Sequence, residues 1–456
     1  MSKRNIKIAI PLILIIGLGI LTFIRWNAWF GNPEEPAYTT GKKINRLTLT
    51  LGNNGEYSRA FSWVFGEEVG EGILEITEMG SSDTTSIPAT SEVCTSRSGK
   101  SAYYRAFVDQ LSHGSTYSYR VRNGEEASEW HQFSTLADST KNDFTFLYFG
   151  DIQDSDSSEL TRKLMNEIYA QNKGTQFVLL GGDFIERPMD QYYNMAYEGL
   201  GVMATEVPIL AVTGNHEYLK GITRKIDSRY AHAFPYYLQS KVGDNHLFTF
   251  TYGNTQFFLL DSNREFWNLS TQRDWLKKKL SESKAKWKIV VLHHPIYSLR
   301  GDFNNWFVKH YFRPVIEEAK VDLVLQAHEH GYARKTSFNE NGEACTPLYT
   351  VSYFSEKAYF QDFCGDYQRW GTANRYYQKI SIDNDTLVFR TYTDQHKLYD
   401  EVRLQKEGNS TLAFDLATDI PEEVIVPEWF RNVKGEKKTK KYEKSIQEWK
   451  ERKKAK

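Results

Sequence analysis

Five short motifs in this sequence place aspartate, asparagine, glutamine or histidine directly after an apolar stretch. They are GDIQ (150–153), GD (182–183), GNHE (214–217), HHP (293–295) and AHEH (327–330). Carboxylate and amide oxygens and imidazole nitrogens are the ligands that divalent metal ions take in proteins. A carboxylate can bridge two such ions, and the ions can clamp the attacking and leaving oxygens of a phosphoryl displacement. One motif of this kind is more often a turn or a packing contact, but the ordered set predicts a metal centre.

The stretches before these motifs are typical of buried strands. Near-continuous apolar runs end at Asp151, Asp183, Asn215, Asn263, His293 and His328. Strands that are apolar on both faces belong to the covered sheet of an α/β fold, and helical periodicity at 158–171 and 271–281 agrees with that class. Ligand sites in such sheets form where the carboxyl ends of the strands meet, so we expect the motifs to converge. Alternating segments at 376–382, 386–392 and 400–404 predict closing antiparallel strands.

The region between Asn45 and Leu136 has a different pattern. Short alternating runs are separated by turn residues such as Gly52 to Gly55, His113-Gly114 and Asn123-Gly124. About seven short strands in a segment of this length predict an antiparallel β-sandwich. The stretch 111–120 resembles a turn and strand of fibronectin type III domains.

The N-terminal segment has the pattern of a membrane signal. Three basic residues within 1–7 precede residues 8–24, which carry no charge, and Arg25, Trp26 and Trp29 follow. This order predicts an uncleaved signal anchor that places the remainder of the chain outside the cytoplasm. The alternatives are a cleaved signal peptide and a buried core helix.

The composition excludes several classes of protein. Lys and Arg total 57 against 58 Asp and Glu in 456 residues, so no nucleic-acid partner is indicated. Three cysteines are too few for a disulfide scaffold or a cysteine-rich zinc module. The tail from Arg431 is rich in lysine, which predicts a solvated helix or a disordered tail; attraction to an anionic lipid or polymer is the alternative.

The ordered motifs resemble those of the calcineurin-like metallophosphoesterases, and within them the purple acid phosphatase branch, over about 143–406. Residues 321–334 (VDLVLQAHEHGYAR) are similar to the GHxHxYER region of that branch, and Gln272, Trp275 and Leu276 are similar to its QxxWL helix. The resemblance implies an α/β four-layer sandwich, the metallophosphoesterase fold, preceded by a fibronectin type III-like β-sandwich. We expect an anchor at 1–30, the sandwich at 42–138, the catalytic domain at 142–406 and a C-terminal extension at 407–456.

The resemblance also implies a role for each motif residue. Asp151 and His330 would hold one divalent ion, Asp183 would bridge, and the second ion would be held by Asn215, His293 and His328. The ions would be two of manganese, iron, zinc or magnesium. Catalysis would depend on Asp183 and on His216, which would contact the leaving group or the phosphate as proton donor or transition-state stabiliser.

Two departures from the branch concern the metals. The branch has GDxxY, whose tyrosine binds ferric iron, whereas Glu186 stands at that position here, so we expect no tyrosinate-to-iron colour. Gln153 stands where the wider family places a histidine ligand. Its carbonyl oxygen would make the site richer in oxygen and favour Mn²⁺, Fe²⁺ or Mg²⁺ over zinc alone; alternatively, Gln153 only hydrogen-bonds to a ligand. Ala327 replaces the usual glycine, a small change.

The expected reaction is hydrolysis of a phosphate monoester on a small molecule or polymer. His294 and Asn263 are candidate substrate contacts, although His294 can instead brace His293 through a hydrogen bond. Arg264 and Arg300 are candidates for bidentate phosphate binding, or else ordinary surface arginines. A phosphodiesterase or nucleotide hydrolase with the same site is one alternative, and a non-catalytic surface binding protein is the alternative from another class.

Overall fold

The computed structural model describes residues 3–52, 55–137, 143–236, 241–242, 245–301, 303–408 and 410–455. The predicted domain limits at 138 and 142 lie outside these ranges. The limits at 30, 42 and 406 remain predictions.

The chain begins with a helix, α1 (Lys3–Phe30). Within the described ranges, no helix combines the length and the apolar character that a membrane crossing needs. The predicted anchoring of the chain to a membrane through its N-terminal segment is therefore wrong. The uncharged stretch 8–24 on which the prediction depended has 17 residues, below the roughly 20 residues of a typical span.

The segment after α1 forms the expected β-sandwich. Its strands are β1 (Asn45–Gly52), β2 (Gly55–Val64), β3 (Ile73–Glu78), β4 (Thr85–Pro88), β5 (Thr90–Thr95), β6 (Lys100–Val108), β7 (Thr116–Asn123), β8 (Glu126–Ala127) and β9 (His131–Ser134). One antiparallel sheet has the order β1-β2-β6-β5, and the other has β4-β3-β7-β8 with β9 beside β7. Phe61, Trp63, Tyr104 and Tyr119 pack between the sheets. β4 and β5 were not predicted, because both are edge strands whose residues are mostly exposed.

The remaining strands belong mainly to one large mixed sheet. They are β10 (Phe144–Phe149), β11 (Phe177–Leu180), β12 (Ile209–Ala211), β13 (Tyr218–Leu219), β14 (Lys225–Ile226), β15 (Lys241–Val242), β16 (Asn245–His246), β17 (Phe248–Tyr252), β18 (Thr255–Leu259), β19 (Trp287–Val291), β20 (Leu323–Gln326), β21 (Tyr332–Phe338), β22 (Ala344–Val351), β23 (Arg369–Gly371), β24 (Tyr376–Asp383), β25 (Thr386–Thr393), β26 (Leu398–Glu407) and β27 (Ser410–Asp415). The order along the sheet is β12-β11-β10-β24-β25-β26-β27-β22-β20-β19-β18-β17, with β21 and β23 attached through β22. β13 pairs with β14 and β15 pairs with β16 as separate ribbons.

The two ends of this sheet pack face to face. Phe146 of β10 lies 5.4 Å from Phe257 of β18, and Phe177 of β11 lies 5.8 Å from Phe250 of β17, measured between ring centroids. Because β10–β12 and β18–β20 are parallel runs, their carboxyl ends face the same edge of the sandwich. β24, β25 and β26 form the antiparallel strands that the alternating pattern predicted.

Helices follow the β-sandwich along the described part of the chain, and some of them cover the outer faces of the sheet. They are α2 (Glu159–Gln171), α3 (Asp190–Leu200), α4 (Met203–Glu206), α5 (Ser228–Ala233), α6 (Phe266–Glu282), α7 (Trp306–Glu318), α8 (Glu428–Lys434) and α9 (Glu436–Lys454), with a 3₁₀ turn at Asn215–Glu217. α2 and α3 pack on the half with β10–β12, and α6 and α7 pack on the half with β18–β20. The predicted four-layer α/β sandwich is confirmed.

The lysine-rich tail is a helix with one buried side. Tyr442, Ile446 and Trp449 of α9 recur at helical spacing and are buried. Trp449 packs on Phe363 with ring centroids 5.4 Å apart, and Tyr442 packs on Phe360 at 5.1 Å. The apolar stripe was not predicted from the sequence, because charged residues flank each of its members in the chain.

Replacing Trp449 tests whether the tail belongs to the folded core. We expect Trp449→Ala to lower the free energy of unfolding by about 3 kcal/mol, because a buried indole is lost from a packed cluster. Urea titration followed by circular dichroism measures this change. Glu448→Ala, at the exposed neighbouring position, is the control; equal stability of both variants would show that α9 contributes no packing energy.

Candidate metal centre

The sequence motifs meet at the carboxyl edge of the parallel strands in a strained backbone arrangement. Asp151, Asp183, His328 and His330 have φ angles of 40°, 50°, 74° and 46°. The left-handed region is costly for residues other than glycine and persists where the surroundings enforce it, often at functional sites. Gly182, at φ +91°, has no room for a side chain, because a Cβ there would lie 2.7 Å from His293 Nδ1.

Two groups of potential ligands share one carboxylate. Asp183, His293 and His328 form one group, and Asp151, Asp183 and His330 form the other; within each group, one ligand atom per residue lies within 4.8 Å of the others. Asp183 Oδ2 is 3.4 Å from His293 Nε2, and Asp151 Oδ1 is 3.8 Å from His330 Nε2. A carboxylate common to both groups has the position that a bridging ligand requires.

The side-chain amides of Asn215 and Gln153 lie beside the two groups. Asn215 Oδ1 lies 3.3 Å from His293 Nε2, and the Gln153 amide nitrogen lies 3.4 Å from His330 Nε2. Gln153 Oε1 and Asp151 Oδ1 are buried and have no hydrogen-bond partner among the described residues. Buried polar atoms without a partner are costly, and a bound cation would satisfy both oxygens. The donor set therefore fits divalent metal ions.

Contacts with the backbone orient the imidazoles. His293 Nδ1 is 2.8 Å from the Gly181 carbonyl oxygen, and His330 Nδ1 is 2.8 Å from the Lys357 carbonyl oxygen. Each contact occupies Nδ1 and leaves Nε2 facing the cluster, an arrangement usual for metal-binding histidines. The backbone N–H of His328 donates to Asp151 Oδ2 at 2.7 Å and so joins the two motifs.

Burial sets the charge state of these rings in the absence of metal. Burial lowers the pKa of His330 to about 3, so the ring is neutral and its nitrogen lone pair is available. Burial also lowers the pKa of His293, but the Asp183 carboxylate outweighs it and raises that pKa to about 9. Asp183 has a pKa well below its usual value, because His293 and His216 outweigh the opposing effect of burial. Metal binding at His293 therefore has to displace a proton.

Glu217 is a residue of the site that sequence reasoning did not single out. Its fully buried carboxylate accepts hydrogen bonds from the backbone N–H groups of Asp183, Phe184, Ile185 and Gly214, at 2.5 to 3.2 Å. These donors belong to the loops after β11 and β12. The signal available in the sequence was a carboxylate inside a motif, two residues after a potential ligand.

His216 lies beside the cluster and is partly exposed. Its Nε2 is 3.8 Å from Asp183 Oδ2, and its Nδ1 contacts the carbonyl oxygen of Glu186. The Glu186 carboxylate is paired with the ammonium of Lys357. Sequence reasoning noted Glu186 only as a missing tyrosine and did not find Lys357, which is 171 residues away in the chain.

Besides His216, four residues were predicted to contact the substrate, and two of them are His294 and Asn263. The His294 ring is 4.1 Å from the His328 ring, and its Nδ1 contacts Ser262 Oγ at 3.1 Å. Asn263 is buried and donates to the Thr213 carbonyl oxygen at 2.6 Å.

The two arginines have different surroundings. Arg264 is paired with Glu265 at 3.4 Å. Arg300 is exposed, and its guanidinium carbon lies 4.8 Å from the centroid of the Tyr359 ring. The centroid of that ring lies 4.2 Å from the centroid of the His330 ring. The roles of all four residues remain predictions.

A folded-over α/β sheet with this cluster at its edge defines a metallophosphoesterase-type domain, and comparisons with known proteins agree. The calcineurin-like phosphoesterase family matches residues 144–332, and the purple acid phosphatase N-terminal domain matches residues 44–135. The chain therefore contains a calcineurin-like phosphoesterase domain preceded by the N-terminal domain of purple acid phosphatases. The resemblance inferred from the motifs is confirmed.

Individual relatives are distant. Phosphoenolpyruvate phosphatase of Allium cepa is 24% identical over 51% of this chain and 50% of its own length. Purple acid phosphatase 5 of Arabidopsis thaliana is 26% identical over 66% of this chain and 72% of its own length. The structure of a purple acid phosphatase from yellow lupin (Lupinus luteus) seeds superimposes with a TM-score of 0.61 at 16% identity, covering 84% of this chain and 75% of that one. The chain spans about half the length, or less, of the first curated relatives it matches.

Replacing Glu217 tests its contribution to the site. We expect Glu217→Gln to lower the free energy of unfolding by about 2–3 kcal/mol, because an amide group cannot accept all four backbone hydrogen bonds. The variant should also bind less metal than the wild type, measured by elemental analysis after loading. Glu206→Gln, which removes a surface carboxylate paired with Lys173, is the control. Stability and metal content equal to the wild type would contradict this role.

Proposed function

We propose that this protein is a metal-dependent phosphoric ester hydrolase that cleaves phosphate monoesters. The observation that carries the proposal is the pair of ligand groups sharing Asp183. Asp151 Oδ1, in one of these groups, and Gln153 Oε1 are buried and have no hydrogen-bond partner among the described residues. The phosphatase names of the relatives support the reaction class. The name of the onion relative, phosphoenolpyruvate phosphatase, supports a small phosphorylated molecule as substrate.

The residues divide between two metal positions. Asp151, Gln153 and His330 would hold one divalent ion, Asn215, His293 and His328 would hold the other, and Asp183 would bridge them. When bound, such ions lower the pKa of water and neutralise the charge on the phosphoryl oxygens. The oxygen donors Asp151, Gln153 and Asn215 favour manganese, iron or magnesium in at least one position.

His216 is the proposed proton donor to the leaving group. Its Nδ1 is engaged by the Glu186 carbonyl oxygen, which fixes the ring, and its Nε2 faces the Asp183 side of the cluster. A ring held in this way presents a proton at Nε2 to an ester oxygen when both of its nitrogens are protonated. Asp183 and the ligand histidines would be held without their protons by the bound ions.

The test uses the full chain and two substrates. We expect wild-type protein loaded with Mn²⁺, Fe²⁺ or Zn²⁺ to hydrolyse p-nitrophenyl phosphate. Asp183→Asn should lose metal and lower turnover by at least about 10³-fold, because an amide bridges two cations poorly. Metal content by elemental analysis accompanies each rate, and Asp274→Asn, on the exposed side of α6, is the control.

Each alternative function gives a different outcome. Faster hydrolysis of bis(p-nitrophenyl) phosphate than of the monoester would identify a phosphodiesterase. Absence of bound metal and of turnover in the wild-type protein would favour a non-catalytic binding protein. Full metal content and full activity in Asp183→Asn would refute the proposed assignment.

The identity of residue 186 predicts the colour of the iron-loaded protein. We expect no tyrosinate-to-iron absorption band after loading with iron and oxidation, because Glu186 occupies the tyrosine position. Tyr359 stacks on His330, but burial, with Asp183 and Asp151, raises the pKa of its hydroxyl and opposes formation of tyrosinate. Visible absorption spectra of the wild type and of Tyr359→Phe measure this. A band present only in the wild type would identify Tyr359 as an iron ligand.

A further inference from the structure

A half-buried ion pair lies at the edge of the candidate metal centre. Glu186 occupies the position at which the purple acid phosphatase branch has its tyrosine, and its carboxylate contacts the ammonium of Lys357. The two side chains are 10% and 14% exposed, so each is partly withdrawn from water but still reachable. Ion pairs of this kind are costly to form, which makes their position informative.

Both members of the pair also contact residues of the proposed mechanism. The Glu186 carbonyl oxygen contacts His216 Nδ1, and a Glu186 carboxylate oxygen lies 3.9 Å from the same nitrogen. The Lys357 carbonyl oxygen holds His330 Nδ1 at 2.8 Å. The backbone of Lys357 therefore holds a proposed metal ligand, and its ammonium contacts the residue whose carbonyl oxygen holds the proposed proton donor.

The charges around the cluster favour a cation at this point. The bound ions would offset the charges of Asp151 and Asp183, whereas the Glu186 carboxylate is not among the proposed ligands and would repel an anionic substrate without a cation beside it. The ammonium of Lys357 has three N–H donors, of which Glu186 engages one. A phosphate oxygen can use a further donor without breaking the ion pair.

We propose that Lys357 binds a non-bridging oxygen of the substrate phosphate and makes the site select dianionic monoesters over monoanionic diesters. This inference rests on the proposed phosphoesterase function. A phosphate monoester carries about 1.5 to 2 negative charges near neutral pH, whereas a diester carries about one. The attraction to a fixed cation grows with that charge, so the loss of Lys357 penalises the monoester more.

The first experiment compares two esters in Lys357→Met, with metal content measured in every sample. We expect kcat/KM for p-nitrophenyl phosphate to fall roughly 10- to 100-fold, the size of one charge-assisted hydrogen bond. The value for bis(p-nitrophenyl) phosphate should fall less than about 3-fold, because the diester carries less negative charge and is attracted less strongly by Lys357. Lys357→Arg should retain most of the monoester rate. Equal losses for both esters, or no loss, would overturn the proposal.

A second variant separates direct binding from neutralisation of Glu186. If Lys357 only neutralises Glu186, the double variant Lys357→Met/Glu186→Gln would recover wild-type affinity for inorganic phosphate, measured by titration calorimetry. If Lys357 contacts the phosphate, the double variant stays at least about 10-fold weaker than Glu186→Gln alone, the scale of a lost charged hydrogen bond. Recovery in the double variant would overturn the proposal.

A matched lysine controls for the removal of a half-buried ion pair. Lys406 pairs with Asp322 at 2.6 Å, and its side chain is 19% exposed. Asp322 directly precedes β20, so this ion pair lies at the opposite edge of the sheet from His328, which follows β20. Lys406→Met should leave phosphate affinity and the ratio of monoester to diester rates unchanged. If wild-type protein hydrolyses neither ester, the proposed function fails; phosphate affinity that is unchanged in Lys357→Met overturns the role of Lys357 by itself.

Discussion

One buried carboxylate holds the centre of this site together. Glu217 accepts four backbone N–H groups, three from the loop after β11 and one from the loop after β12. Those loops carry Asp183 on one side and Asn215 with His216 on the other, so this one acceptor joins them. The backbone N–H of His216, which donates to Asp183 Oδ1 at 2.9 Å, is a further link. Burial, reinforced by nearby Asp183, raises the pKa of Glu217 to about 7. The arrangement concentrates negative charge and therefore calls for cations at the same place.

The β-sandwich is fixed to the catalytic layer by a second buried charge network. Arg46 of β1 binds Asp190 at the start of α3 at 2.7 Å, and Arg229 of α5 binds Asp190 at 2.7 Å and Glu35 at 2.6 Å. Burial would raise the pKa of Asp190, but the two arginines outweigh it and lower that pKa. Since α3 follows the loop that contains Glu186, the network also limits the movement of one wall of the site. The ion pairs between the sandwich and α3 therefore restrain the loop that contains Glu186.

The positions of the candidate ligands could be predicted from local sequence patterns. Contacts between residues far apart in the chain could not be predicted in this way. Asp151, Asp183 and His293 each follow a strand directly, so strand patterning and residue type were sufficient to place them. Glu186 and Lys357 meet across 171 residues, and no local period connects them. The N-terminal prediction was wrong for a different reason, because the uncharged run 8–24 is shorter than a membrane span requires.

The segment that follows β22 explains why the tail, the ligands and the proposed phosphate contact belong together. Phe363 packs on Trp449 of α9, and the Gln361 amide donates to the Glu329 carbonyl oxygen at 2.8 Å, between His328 and His330. A few residues earlier, the Lys357 carbonyl oxygen orients His330. A short connection without regular structure is normally free to move. Here packing at one end and hydrogen bonds to the ligand loop at the other remove that freedom, which lets a flexible lysine side chain act as a fixed charge.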